Sequence, residues 1–175
     1  MDLKKYIRSI PDYPKKGILF RDITTLIKDS KAFNYSIDQI IDKIKNLNFQ
    51  KIVAIESRGF LFASAVAYKM SKSLILIRKK NKLPAERYSE DFKLEYGKAT
   101  VEIHKDSIAA KDKVIIIDDL IATGGTAMAA AKLVEKSGGK IESFVFVINL
   151  FDLGGKDLLE KNSYKSLILI NFPGH

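Results

Sequence analysis

Val114 to Ile117 are four consecutive β-branched apolar residues, and two carboxylates, Asp118 and Asp119, follow them without a break. A strand that is apolar on both faces needs cover on both, as a central strand of a parallel sheet has from its flanking helices. Open α/β sheets bind ligands at the carboxyl ends of their strands. There this chain turns through Thr123-Gly124-Gly125-Thr126 into an alanine-rich helical stretch, Ala127 to Lys136. Glycines let the backbone take positive φ and approach a ligand closely. The free N–H groups and the dipole of the helix start then favour a phosphate. Two carboxylates beside a phosphate seat suit a sugar phosphate. They can accept from sugar hydroxyls, face positive charge developing on the ring, and lie close to Mg²⁺. The Walker pattern needs Lys-Ser/Thr after its second glycine, and Thr126-Ala127 is not that. A G-x-G-x-x-G fingerprint is also missing from the chain.

The remaining patterns agree with a parallel sheet. Helical periodicity covers residues 31–47, where Phe33, Ile37, Ile40, Ile41, Ile44 and Leu47 share a face and Asp29 or Ser30 can cap the start. Strands are expected at Ile52–Glu56, Ser73–Ile77, Val114–Asp118, Ile141–Leu150 and Leu167–Ile170, with a helix over Gly59–Met70. This alternation predicts an α/β fold with a mostly parallel sheet flanked by helices. The length, 175 residues, fits one domain. Within it, 1–28 reads as a small N-terminal lobe and 29–175 as the core. The polar segment 79–98 reads as a connection of the functional or mobile kind. Ala99–His104 alternates as an exposed strand would.

Composition closes several routes. The chain has no cysteine, which excludes disulfides, a thiolate zinc site and a cysteine nucleophile, and fits a cytoplasmic location. No apolar run approaches the roughly 20 residues a membrane span needs, and the N-terminal stretch lacks the apolar region of a signal peptide. Lys and Arg total 30 against 21 acids, a net +9. That balance suits nucleic acid, a membrane surface or a small polyanion. It also suits plain solvated lysines, and the lysines here are scattered. His104 and His175 have no partners at metal-ligand spacing and read as non-catalytic.

The strand, the paired acids and Ala122-Thr123-Gly124-Gly125-Thr126 closely resemble the motif with which type I phosphoribosyltransferases bind phosphoribosyl diphosphate (PRPP). The stretches IRSIPDYPKKGILFRDIT (7–24), ESRGFLFA (56–63), RKKNKLP (78–84) and LEYGKATVEIHKDSI (94–108) are similar to the adenine-specific branch of that family. The resemblance implies a family fold with an N-terminal hood and a flexible catalytic loop. It also implies transfer of phosphoribose from PRPP to adenine, giving AMP and pyrophosphate, with Mg²⁺, in a homodimer. Mg²⁺ is then held mainly by PRPP, pyrophosphate and water near Asp118 and Asp119, with no direct protein ligand. Neither a membrane nor nucleic acid is an expected partner. Acceptance of another nucleobase, or a PRPP-binding nucleic-acid regulator, are the competing readings.

Residue by residue, the resemblance makes Glu95 the acid–base group and Tyr96 its neighbour in ordering the closed loop. Asp118, Asp119, Ala122, Thr123, Gly124, Gly125 and Thr126 bind the ribose and 5′-phosphate. Phe20 stacks on adenine while the main chain of Leu19 and Arg21 reads its edge. Ser57, Arg58, Arg78, Lys79 and Lys82 bind pyrophosphate, with one of Arg78, Lys79 and Lys82 reaching the neighbouring subunit. Taken alone, Phe20 also reads as a core aromatic and Arg21 as the ion-pair partner of Asp22 or another surface acid. The chain departs from the commoner family pattern at Lys80-Asn81 and Ala85. Asn81 is the better tolerated change, since Asn accepts positive φ. Leu153-Gly154-Gly155-Lys156 also looks familial, with no chemistry attached to it.

Overall fold

Cover on both faces is what the run at Val114 receives. In the computed structural model, residues 1–94 and 97–175 are described. The chain opens with β1 (Arg8–Pro11), β2 (Leu19–Asp22), α1 (Thr24–Lys28) and α2 (Ser30–Ile44). Next come β3 (Lys51–Ile55), α3 (Gly59–Met70), β4 (Ser73–Lys79), β5 (Arg87–Leu94) and β6 (Gly97–His104). It closes with β7 (Lys113–Ile121), α4 (Gly125–Lys136), β8 (Lys140–Leu150), α5 (Gly155–Lys161) and β9 (Ser166–Phe172). β1 and β2 pair antiparallel as a separate small sheet. The main sheet has the order β5-β6-β4-β3-β7-β8-β9. Its β4-β3-β7-β8-β9 portion is parallel, and β6 and β5 are added antiparallel at one side.

Alternate residues of the central strands feed two cores. Ile52, Ala54, Ile115 and Ile117 pack with α2 and α3 through Ile37, Ile40, Ile44, Phe62 and Val66. Val53, Ile55, Val114 and Ile116 face the opposite layer, where α4 contributes Ala130, Leu133 and Val134. The capping of α2 is by Asp29, whose carboxylate accepts from the Ala32 N–H at 2.9 Å. That helix stops at Ile44 rather than Leu47. Among the described residues no helix is long and apolar enough to cross a membrane.

The structure departs from the sequence expectation in the polar segment. Residues 87–94 form a strand, paired along its length with β6. As the sheet's edge, β5 needs cover on one face only. Tyr88, Glu90 and Phe92 are half-buried on that face, and Ser89, Asp91 and Lys93 are exposed on the other. Tyr88 and Phe92 pack against the α4 layer. That two-residue period was hidden by the charges between them. β6 is also not an exposed strand. It lies between β5 and β4, with Val101, Glu102 and Ile103 all buried.

Glu102 can be buried because donors surround it. It accepts from the Asn81 N–H at 2.9 Å and the Ser89 hydroxyl at 3.2 Å, and pairs with Arg87 at 3.1 Å. Asn81 takes φ 64, so its positive-φ tolerance is used. Half-buried His104 accepts from the Ala85 N–H at 3.3 Å, a structural contact on the same hairpin. Glu102→Gln keeps the shape but removes the charge and turns one acceptor into a donor. It is expected to lower the unfolding free energy by about 1–3 kcal/mol, read as a shifted urea midpoint at unchanged slope.

Candidate active site

β3 and β7 are paired only as far as Ala54 and Ile117. Beyond that point β3 turns away through a cis Glu56–Ser57 peptide into α3, while β7 continues beside β8 to Ile121. The chain leaves β3 toward β4 on one side and β7 toward β8 on the other. A crevice at the carboxyl ends is the consequence of that reversal. Its volume is about 440 Å³. Ser57 and Arg58 line one wall, Asp118 and Asp119 the floor, and Ala122 through Thr126 the far side.

The local sequence explains each wall. Gly59 starts α3 directly over β7, where a Cβ would stand 2.7 Å from Asp118 Oδ1 and 3.0 Å from the Ile117 carbonyl oxygen. Any side chain there would push α3 off the strand. Gly124 takes φ 87 and caps α4, and no side chain caps that helix start. The first-turn N–H groups of Gly125, Thr126 and Ala127 are therefore left to the crevice those residues line. Arg58 Nε lies 2.9 Å from Asp119 Oδ2, although that oxygen has no aligned hydrogen bond among the described residues. The Arg58 guanidinium also sits 5.4 Å from the centre of the Phe20 ring. Phe20 in turn meets Tyr13 edge-on at 5.1 Å. β2 thus brings Phe20 beside Arg58, which lines the crevice.

Burial pushes the Asp118 carboxyl well above the ordinary aspartate range, and the charge of Asp119 pushes it further. Asp119 is also raised by burial, with Arg58 opposing. Glu56 goes the other way. Its burial is outweighed by the Lys79 N–H, which it accepts at 2.8 Å, and by Arg78, leaving it lowered.

Residues 24–173 match the phosphoribosyl transferase domain family. The adenine phosphoribosyltransferase of Pelagibacter ubique is 69% identical over 175 residues, 100% of both chains. The crystal structure of the Thermoanaerobacter pseudethanolicus adenine phosphoribosyltransferase superposes with a TM-score of 0.93 at 46% identity, covering 98% of each chain. The Saccharomyces cerevisiae enzyme, complexed with an imino-altritol bisphosphate and adenine, gives 0.90 at 34%, covering 97% of each chain. The chain belongs to the adenine phosphoribosyltransferase family.

For a member of this family, the crevice gathers most of the expected site residues but not all. Ser57, Arg58, Lys79, Asp118, Asp119, Ala122, Thr123, Gly124, Gly125 and Thr126 line it together. Phe20 reaches it through Arg58. Arg78 is set back, held by Glu56 at 3.3 Å and by the Lys82 carbonyl at 3.2 Å, and Lys82 stays exposed on the same turn. Glu95 and Tyr96 lie outside the described residues.

The Arg21 side chain does not pair with Asp22. It is buried, donates to Ser9 Oγ at 2.5 Å and to the Pro173 carbonyl at 2.8 Å, and stacks over Phe172. Desolvation holds its pKa down. Asp22 pairs with Arg8 instead. Tyr13, Glu56 and Gly59 had no role of their own in the sequence reading, although all three lie in the family-like stretches 7–24 and 56–63. What each of them touches depends on contacts made across the fold.

The Asp118–Asp119 pair sets a pH dependence. The folded chain holds these protons more tightly than the unfolded one. The pair's contribution to stability is therefore fully present below the ordinary aspartate range and is lost as pH rises through the raised folded values. Asp118→Asn is expected to make unfolding stability fall less steeply with rising pH than in the wild type. Urea titrations across that range would show it, and parallel pH profiles would refute it.

Proposed function

We propose that this chain transfers the 5-phosphoribosyl group of PRPP to adenine, releasing AMP and pyrophosphate. One observation carries the reading: a single crevice joins paired carboxylates, an uncapped glycine-led helix start, and a cation lying under an aromatic ring. The relatives' names and the adenine held by the yeast structure support the choice of base.

In this reading Phe20 stacks on the purine, and the main chain of Leu19 and Arg21 reads its edge. Backbone donors and acceptors together can tell a 6-amino from a 6-oxo purine. The amides of the Thr123–Thr126 turn hold the 5′-phosphate, with Ala122 leading into the turn. Asp118 and Asp119 accept from the ribose hydroxyls and face the positive charge that develops at C1. Ser57, Arg58 and Lys79 receive the leaving pyrophosphate, with Arg78 and Lys82 behind them. The C1–oxygen bond to pyrophosphate breaks, a ring nitrogen of adenine bonds to C1, and Glu95 takes the proton that nitrogen loses. Tyr96 orders the loop that carries Glu95.

Mg²⁺ fits this donor set in a limited way. Among the described residues no three His, Cys, Asp or Glu side chains cluster to hold a metal. Two carboxylates with substrate phosphates and water are what Mg²⁺ commonly accepts. Asp118 and Asp119 would lie beside such an ion, which substrate phosphates and water would mainly hold and which would neutralise pyrophosphate charge. A homodimer is supported by the exposed Leu61 and Tyr68 on α3, seven residues apart on one helix face.

Incubation with PRPP, Mg²⁺ and single bases is expected to consume adenine and leave guanine, xanthine and orotate. Turnover of one of those three without adenine would end the assignment. Glu95→Gln is expected to lower kcat by about tenfold or more, since positioned acid–base groups contribute 10²–10⁴. An unchanged single-turnover rate would remove Glu95 from that role.

A further inference from the structure

The Leu153-Gly154-Gly155-Lys156 stretch has no assigned role in the chemistry above, yet Leu153 lines the crevice and Gly155 packs against the phosphate turn. Gly154 takes φ 75 and caps the start of α5, and a Cβ there would meet nothing within 4 Å. Gly155 differs. It is buried, and its N–H donates to the Ala122 carbonyl at 2.9 Å. A Cβ on Gly155 would stand 2.3 Å from that carbonyl oxygen and 2.8 Å from Gly124 N. The contact is reciprocal: a Cβ on Gly124 would stand 3.1 Å from Gly155 Cα and from Leu158 Cδ2. Two backbones therefore lie against each other with no side chain between them. Beyond Ile121 the turn has left the pairing with β8. The Gly155 N–H holds the Ala122 carbonyl just before Gly124 swings into its left-handed conformation.

We propose that Gly155 is a positioning residue for the phosphate turn. Its N–H anchors Ala122, and its bare Cα lets Gly124 settle where the following amides point into the crevice. The proposal rests on the reading of Thr123–Thr126 as the seat of the 5′-phosphate. A methyl on Gly155 falls about 1 Å short of ordinary contact with the Ala122 oxygen, so the turn has to shift. Misplacement on that scale can cost about a hundredfold in a positioned site.

The test compares dissociation constants for AMP and adenosine, which differ only in the 5′-phosphate, by titration calorimetry. The wild type is expected to favour AMP by about tenfold or more. In Gly155→Ala that preference is expected to shrink by about tenfold or more, with adenosine binding kept. Gly154→Ala is the control. It places a side chain at positive φ and is expected to lower the melting temperature while leaving the preference intact. Leu158→Ala withdraws the contact under Gly124 without adding atoms, and is expected to shrink the preference more mildly.

A folded Gly155→Ala that keeps the wild-type preference overturns the proposal, as does one that loses both ligands equally. Loss of preference in Gly154→Ala overturns it too, because general destabilisation would then suffice. If Gly155→Ala does not fold, Leu158→Ala decides, and an unchanged preference there overturns the proposal. A wild type that binds AMP and adenosine alike defeats the phosphate-seat reading itself.

Discussion

Pairing between β3 and β7 stops at Ala54 and Ile117, while β7 stays paired to β8 as far as Ile121. Everything in the crevice depends on that mismatch. Two neighbouring parallel strands of equal reach would have sealed the sheet edge and left the carboxylates on its rim. Because β3 turns off first, Asp119 is buried in the gap and Arg58 comes within 2.9 Å of it from the opposite wall. Two adjacent buried acids repel each other and resist ionising. The guanidinium offsets part of that cost, and it does so from the turn that begins α3. Strand ending, helix start and charge compensation are therefore one arrangement, and shifting any of them shifts the rest.

The walls of the crevice meet through glycine wherever the backbone comes closest. Gly59 brings α3 against Asp118 and the Ile117 carbonyl. Gly124 and Gly155 lie against each other. A Cβ on Gly125 would stand 3.0 Å from the carbonyl oxygen of Lys93 on the β5–β6 hairpin. Only Gly124 of these has the positive φ that favours glycine; the others are small because another backbone occupies the space. A site built on main-chain contact is stiff, since no rotamer can relax it. That stiffness is what a site needs if its donors are to be aimed before the charge appears.

The same distinction explains what the sequence disclosed. The β-branched run, the acids and the Thr-Gly-Gly-Thr turn are local, and each has a physical meaning that a short window carries. The central strands and the walls around Arg58 and Gly124 were legible for that reason. The β5 strand was not, because an edge strand with one covered face tolerates Arg, Glu, Asp and Lys among its few apolar residues. The exposed reading of β6 failed because Glu102 looks like a solvent-facing residue until Asn81, Arg87 and Ser89 surround it. Arg21 misled for a similar reason. Its sequence neighbour Asp22 suggested an ion pair, but the fold supplied Ser9 and Pro173, which lie 12 and 152 residues away.

The net charge of +9 has an equally local resolution. Many cations sit in exposed pairs, such as Lys69 with Asp38 and Lys156 with Glu160, which add little stability and give no directed field. The basic turn from Arg78 to Lys82 differs, because carboxylates grip its framework rather than solvate it. Glu56 takes the Lys79 N–H and the Arg78 guanidinium, and Glu102 takes the Asn81 N–H. With its amide fixed, Lys79 still lines the crevice with its side chain. A polyanion arriving there meets a cation on a fixed backbone, beside an arginine already oriented by Asp119. The positive charge at the crevice is set by where these few cations are pinned rather than by the net +9 of the whole chain.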